Sequence, residues 1–318
     1  MKTGRILTII TMLLALCLTM GMVTACDSTD QVSVAPPATE GNQPEETQAE
    51  VPASNFNSNE EIVFVTREAG SGTRGAFIEL FEIEVRLEDG SRTDTTSPEA
   101  QEANSTGVML TTVQSDAYTI GYASLGSVND SVKVIEIDGV LASQENIVNG
   151  SYAIQRPFNI ATNGEATGLA KDFIDFIFSA EGQDIIADRG YIKINEDATA
   201  FEGELPEGRI VIAGSSSVSP VMLRLKEAYE ALNPNAQIEL QETDSTAGMN
   251  ALIDGICDIG MASRDLKDNE REVLTDMAIA IDGIAVIVNN QNPVTGLTSE
   301  QVKNIYTGET SVWNEIIG

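Results

Sequence analysis

Residues 209–229 read RIVIAGSSSVSPVMLRLKEAY, and the two parts of this stretch keep different periods. Its opening, RIVIA, is a β-branched run of strand type that Gly214 brings to an end. Val218, Met222, Leu225, Tyr229 and the following Leu232 then share one face of a helix. Pro220 sits near the first turn, where its missing N–H would have no intrahelical partner. Between strand and helix lie Gly214, Ser215, Ser216 and Ser217, a turn of small, donor-bearing residues. A strand running straight into a helix is the repeating unit of an α/β fold.

The unit recurs. IVFV (62–65) passes through Glu68–Thr73 into a helix bearing Phe77, Leu80 and Phe81. IELQETDSTAGMNALIDG (238–255) passes through Asp244, Ser245 and Thr246 into a helix ending near Gly255. YTIGYAS (118–124), VKVIEI (132–137), FNIAT (158–162), AQIEL (236–240) and IAVIVN (284–289) read as further strands. Leu169, Phe173, Phe176 and Ile177 share a helical face, as do Val302, Ile305 and Tyr306. The alternation predicts an α/β architecture with mostly parallel central sheets and no internal repeat. Residues 196–208, EDATAFEGELPEG, read as an exposed connection between two blocks.

The N-terminal residues point to export. Lys2 and Arg5 precede an apolar run from Ile6 to Val23, and VTAC follows at 23–26. This is the layout of a secretory signal over residues 1–25, and Cys26 stands where a bacterial lipoprotein carries its lipid. The alternative is an uncleaved membrane anchor, since the run is nearly long enough to span a bilayer. Residues 26–58 lack Lys and Arg and hold few large apolar side chains, so they read as a disordered acidic tether. Beyond Cys17 and Cys26 only Cys257 remains, which leaves no internal disulfide and requires a core large enough to stand alone.

Composition narrows the chemistry. The chain has no histidine, which excludes Ser-His-Asp hydrolysis and the common histidine zinc sites. A net charge of −31 argues against nucleic-acid binding, and neither a metal nor a cofactor is expected. Yet VTREAGSGTRGAF (65–77) brackets a Gly-Ser-Gly-Thr turn with Arg67 and Arg74. Helix starts leave unpaired N–H groups and a partial positive charge, hydroxyls add donors, and glycine lets an anion approach the backbone. Any one such turn is explained by ordinary capping. Three of them, one flanked by two arginines, point to a shared anion in a desolvated cleft.

The motifs also resemble a family. GSSSVSP, DSTAGM, CDIGMASRDL, AIDGIAVIVN, LTSEQVKNIYTGETSVWNEI and REAGSGTRGAF are similar to segments of the phosphate-binding proteins of Pst-type ABC transporters. The resemblance covers nearly everything from residue 61 to 318. It implies a two-lobed type II periplasmic-binding-protein fold with a ligand cleft between the lobes. It implies a non-enzymatic, monomeric, lipid-anchored protein on the outer face of the bacterial cytoplasmic membrane, handing inorganic phosphate to permease subunits. Carried over by position, the phosphate site comprises Arg67, Ser71, Gly72, Thr73, Ser216, Ser217, Ser245 and Ser263, with Arg74, Arg264 and Asp265 as possible additions. Arg67 is the natural charge partner, because a guanidinium matches two phosphate oxygens in a planar fork; a loop salt bridge is its alternative role. Ser263 stands where some members place an aspartate that accepts the ligand's proton, which weakens the argument for phosphate over sulfate.

The order of the motifs departs from the family, whose GSSSVSP-type segment comes first. A circular permutation joined through residues 196–208 explains this, and a truncated piece of a tandem protein is the alternative. Under permutation one lobe comprises 59–150 plus 289–318 and carries the Ser-Gly-Thr loop, while 151–288 forms the other. Three other functions fit the same residues: a sensor or adhesin that keeps the fold, a binder of sulfate or molybdate, and a phosphatase using Ser71 or a serine of 215–217.

Overall fold

The structure is a computed structural model that describes residues 56–317, residue 89 excepted. The signal peptide, Cys26 and all but the last three residues of the tether lie outside the described residues. Eight strands form the backbone of one long sheet: β1 (Val63–Arg67), β2 (Gln101–Ala103), β3 (Thr119–Ser124), β4 (Gln155–Thr162), β5 (Gly208–Ser215), β6 (Ala236–Thr243), β7 (Ile259–Ala262) and β8 (Thr275–Asn289). Their spatial order is β6-β5-β7-β4-β8-β3-β1-β2. The flanks are parallel, with β5 between β6 and β7 at one end and β1 between β3 and β2 at the other. The middle is antiparallel: β4 pairs with β7 and β8, and β8 also pairs with β3. The expectation of mostly parallel sheets therefore holds for the flanks and fails at the join, where β4 and β8 run in opposite directions.

β8 is the structural key. The reading of IAVIVN captured only its second part, because the polar residues Thr275, Asp276 and Asp282 break the apolar run. Residues 275–283 of β8 pair with β4, and 284–288 pair with β3. One strand thus belongs to two hydrophobic cores. The first core draws on Ile62–Ile154 and Ile284–Trp313. The second draws on Phe158–Ala280, and a smaller cluster around Met249, Leu252 and Leu274 lies apart from it. The chain crosses between the cores near 155–157 and 281–283, whereas the permutation of the resembled family placed the divisions at 150 and 288.

Helices pack on the sheet by the faces their periods predict. α1 (Gly72–Leu80) follows β1 and α2 (Thr106–Ser115) follows β2; α3 (Gly168–Phe178) buries Leu169, Phe173, Phe176 and Ile177. α4 (Ser219–Leu232) buries Val221, Met222, Leu225 and Tyr229, but Leu232, at its last turn, is half-exposed. α5 (Ser245–Ile253) follows β6, and α6 (Ser299–Thr307) buries Val302, Ile305 and Tyr306. VKVIEI splits into two short strands that join different sheets, 132–134 on β8 and 136–137 on residues 296–297.

Two joins complete the packing. Residues 60–62 pair with 311–313: Ile62 donates its N–H to Ser311 at 2.8 Å, and Trp313 donates to Glu60 at 3.3 Å. The connection at 196–208 is largely exposed yet tied down. Buried Asp172 accepts the Tyr229 hydroxyl at 2.6 Å and the Glu204 N–H at 2.8 Å.

Candidate functional site

Parallel strands that each run into a helix bring their C-terminal ends and the helix N-termini to one edge of a sheet. Here four such ends converge. β1 leads through Glu68–Ser71 into α1, β2 through Asn104–Ser105 into α2, β5 through Ser216–Val218 into α4, and β6 through Asp244 into α5. A fifth strand, β7, delivers Ser263 just beyond its last residue. Two of these ends belong to the first core and three to the second.

Arg67 is the centre of the arrangement. Its side chain is 3% exposed. Nε and Nη2 are held by both oxygens of Glu68, at 2.8 and 2.7 Å. Nη2 also donates to Ser216 Oγ at 2.9 Å, and Nη1 donates to Thr106 Oγ1 at 3.2 Å. The backbone beneath is fixed by aromatic packing. The Tyr122 hydroxyl accepts the Arg67 N–H at 3.0 Å, and its ring stacks on Phe77 with centroids 3.8 Å apart. Burial pushes the Tyr122 hydroxyl's pKa up, so it stays neutral and keeps this role.

Around Arg67 the hydroxyls of the two cores meet. Thr73 Oγ1 lies 2.8 Å from Ser217 Oγ, and Thr106 Oγ1 lies 3.2 Å from Ser216 Oγ and 3.1 Å from Ser217 Oγ. The Thr106 N–H donates to Ser216 Oγ at 3.2 Å. Behind them Ser215 donates to Ser263 Oγ at 2.9 Å, and the Ser263 N–H donates to Ser245 Oγ at 3.1 Å. All seven of these hydroxyl residues are buried.

Two glycines allow the close approach. A Cβ on Gly72 would stand 2.6 Å from Ser245 Oγ and 2.8 Å from Ser263 Oγ, both on the opposite core. A Cβ on Gly70 would stand 2.2 Å from the Asp244 carboxylate. The Gly70 carbonyl in turn accepts both the N–H and the hydroxyl of Thr246, at 3.2 and 3.1 Å.

The structure thus gathers Arg67, Gly72, Thr73, Ser216, Ser217, Ser245 and Ser263 at one place. Ser71 adjoins them, but its hydroxyl accepts the Arg74 N–H at 3.3 Å and so caps its own helix. The three possible additions take other partners. Arg74 turns to Asp94 at 2.7 Å and to the Arg67 carbonyl at 2.7 Å. Arg264 is clamped by both oxygens of Glu270 at 2.7 and 2.8 Å and reaches only the rim, at Thr246. Asp265, expected to orient Arg264, does so only through its carbonyl, which accepts Arg264 Nη1 at 2.9 Å, while its exposed carboxylate lies 3.4 Å from Arg271. Burial pushes the Glu270 carboxyl up, but Arg264, the Lys267 amide and the Lys267 charge outweigh it and hold the group below the usual range.

Two contributors escaped the sequence reading, Thr106 and Glu68, and Ser215, read as part of the donor-bearing turn, was not counted in the phosphate site. For Thr106 the available signal was ANSTG (103–107), a further Ser-Thr turn before a helix. It follows a strand of only three residues, QEA, which carries no apolar run to announce it.

Chemically, one desolvated guanidinium and a ring of neutral donors near four helix starts suit a small oxyanion. The low local dielectric strengthens these contacts, so the overall negative charge of the surface does not prevent anion binding. Among the described residues no group of three or more His, Cys, Asp or Glu is placed to hold a metal ion.

The comparisons with known proteins point to one family. A profile described as a PBP superfamily domain matches residues 39–181 and 199–318. A Streptococcus agalactiae serotype V protein named "Phosphate-binding protein PstS 2" is 49% identical over 265 residues, which cover 83% of this chain and 90% of the relative. The crystal structure of a phosphate ABC transporter, phosphate-binding protein from Streptococcus pneumoniae TIGR4 is 40% identical. It covers 81% of this chain and 100% of its own, with a TM-score of 0.65.

Proposed function

We propose that this chain, which belongs to the PBP superfamily, captures inorganic phosphate between its two cores and delivers it to an ABC transporter permease outside the cytoplasm. The observation that carries the reading is the meeting of Arg67, Thr73 and Thr106 from the first core with Ser216 and Ser217 from the second. Each side alone offers an incomplete shell of donors. Only the closed arrangement surrounds a tetrahedral anion, which makes closure and binding the same event.

In this reading Arg67 supplies the charge, and Thr73, Thr106, Ser216, Ser217, Ser245 and Ser263 supply hydroxyls. Gly72 and Ser71 contribute backbone at the start of α1. Cys26 carries the lipid that keeps the monomeric protein near its permease. The relatives' printed names support transport rather than catalysis. No helix among the described residues is long and apolar enough to cross a membrane.

The permuted order is part of the same proposal. It is supported by the pairing of 60–62 with 311–313 inside one core and by the anchoring of 196–208 through Asp172. The deciding experiment is calorimetry of the purified protein with phosphate, sulfate and molybdate. Saturable phosphate binding, lost in Arg67→Ala, is the expected result. Absence of phosphate binding overturns the reading, and equal sulfate binding changes the ligand.

A further inference from the structure

The sequence holds two Asn-Gly pairs that the anion site does not use, Asn149–Gly150 and Asn163–Gly164. In such a pair the carboxamide carbon and the next residue's backbone nitrogen can close a five-membered ring, and glycine, lacking a Cβ, leaves the approach unhindered. Both asparagines follow a β-branched residue, Val148 and Thr162, and both are exposed. Residue type therefore ranks them equally. The fold separates them.

Asn149 is tied down. It ends the short helix Gln144–Val148, its N–H donates to the Glu145 carbonyl at 3.0 Å, and its Oδ1 accepts the Ser151 N–H at 2.9 Å. The Gly150 N–H, the group that would have to attack, donates to the Ile147 carbonyl at 3.1 Å. The Tyr152 N–H closes the turn on the Asn146 carbonyl at 2.8 Å. Reaction at Asn149 requires this local structure to open first.

Asn163 is held quite differently. It is the first residue beyond β4, in the loop that leads to α3, and Gly164 and Glu165 beside it are exposed as well. Among the described residues, none hydrogen-bonds the Asn163 side chain or the Gly164 N–H. The bond that does cross the loop runs from the Thr162 hydroxyl to the Gly164 carbonyl at 2.9 Å, and so leaves the Gly164 nitrogen available. Asn163 and Gly164 border an open cleft of about 560 Å³, shared with Glu207 and Asp258, which admits water to the loop.

We propose that Asn163 is a site of spontaneous deamidation, selected over Asn149 by the fold. The Gly164 nitrogen, giving its proton to solvent, bonds to Asn163 Cγ; the bond from Cγ to the side-chain nitrogen breaks, and ammonia leaves with a proton from solvent. One water then opens the cyclic imide at either carbonyl, giving aspartate or isoaspartate. One water enters and one ammonia departs, so nothing is oxidised or reduced. Each event adds one negative charge, and the isoaspartate outcome lengthens the main chain between β4 and α3 by one methylene.

The position spares the anion site. β4 runs antiparallel to β7, with Ala161 opposite Gly260, so its end at Thr162 lies beside the start of β7. Ser263 follows the other end of β7, at the opposite edge of the sheet. The modification marks the age of the protein at a pole remote from Arg67, and it stands whether or not the chain carries phosphate.

The test holds the purified, folded protein at mildly alkaline pH in heavy-oxygen water and maps its peptides by mass spectrometry over several weeks. Asn163 is expected to become a mixture of aspartate and isoaspartate carrying one solvent oxygen, about fivefold or more faster than Asn149. Short synthetic peptides spanning each pair should react at similar rates, because the contrast belongs to the fold. Asn163→Gln, whose longer side chain does not form the five-membered ring, should lose the main acidic species seen on charge separation. An Asn163 that stays intact, equal rates at both sites in the folded protein, or the same contrast in the peptides overturns the proposal.

Discussion

Arg67 and Ser216 stand 149 positions apart in the chain, and a 2.9 Å hydrogen bond from Nη2 to Oγ joins them across two hydrophobic cores. That bond ties the ends of β1 and β5, which belong to different flanks of the sheet. Glu68 holds Nε and the same Nη2, which fixes the plane of the guanidinium. An anion entering here meets a fixed cation with preset direction.

Replacing Arg67 should therefore affect binding far more than folding. Arg67→Ala is expected to weaken phosphate binding by about 100-fold or more, since it removes the only guanidinium among the gathered site residues. Arg67→Lys should recover little, because an ammonium cannot use both the Glu68 clamp and two ligand oxygens. Calorimetry at fixed ionic strength measures both, and a lysine variant near wild type would contradict the fork geometry.

Thr106 offers a finer probe. Thr106→Val keeps the shape but deletes the hydroxyl that faces Arg67, Ser216 and Ser217. Affinity is expected to fall about tenfold, with the melting temperature changed by a few degrees at most. Full affinity in this variant would place the hydroxyl in structure and not in recognition.

Gly72 tests closure itself. Alanine suits the start of a helix locally, yet its Cβ would strike Ser245 and Ser263 across the gap. Gly72→Ala should hold the halves apart, cutting phosphate affinity at least about tenfold while thermal stability stays near wild type. Small-angle scattering with saturating phosphate should show incomplete compaction. A variant that closes and binds normally would refute the tight contact.

Asp282 makes stability depend on pH. Burial raises its carboxyl from an ordinary 3.8 to about 6 in the folded protein. A raised acid favours the folded state when protonated, so this contribution is fully present below the unfolded value and is lost as pH rises through the folded one. Relative to Asp282→Asn, the wild type should therefore gain stability as pH falls from about 7 to about 4. Melting temperatures of both proteins across that range read the effect, and parallel curves would argue against a buried, shifted carboxyl.

Asp172 anchors the connection at 196–208. Asp172→Ala leaves the Tyr229 hydroxyl and the Glu204 and Leu205 N–H groups without their acceptor. A loss of about 2–4 kcal/mol is expected from denaturant unfolding, with faster proteolysis near residue 200. Equal protease resistance would mean that the connection is held by Phe201 packing alone.

Much of this was legible in the chain because it is local. A strand period of two followed by a helical period is written in consecutive residues, so β1, β5, β6 and the helices after them could be read directly. Other features were not local. The second part of β8 stood out as an apolar run, while its first part, rich in polar residues, takes its strand character from β4 alongside. Ser71 looked like a ligand donor and caps α1; Arg74 and Arg264 looked like extra cations and are neutralised by Asp94 and Glu270. With 49 acidic against 18 basic residues, every arginine has many possible partners, and only distance selects one.

By itself, then, the amino-acid order determined the α/β units, the donor-rich turns and the exclusion of histidine chemistry, all consequences of residue type and short-range spacing. Tertiary structure alone decided which hydroxyls face Arg67, which arginines are left out, and where two cores share one strand. The reason is reach: a hydrogen bond is specific within a few tenths of an ångström, and between residues 149 apart only packing sets that distance.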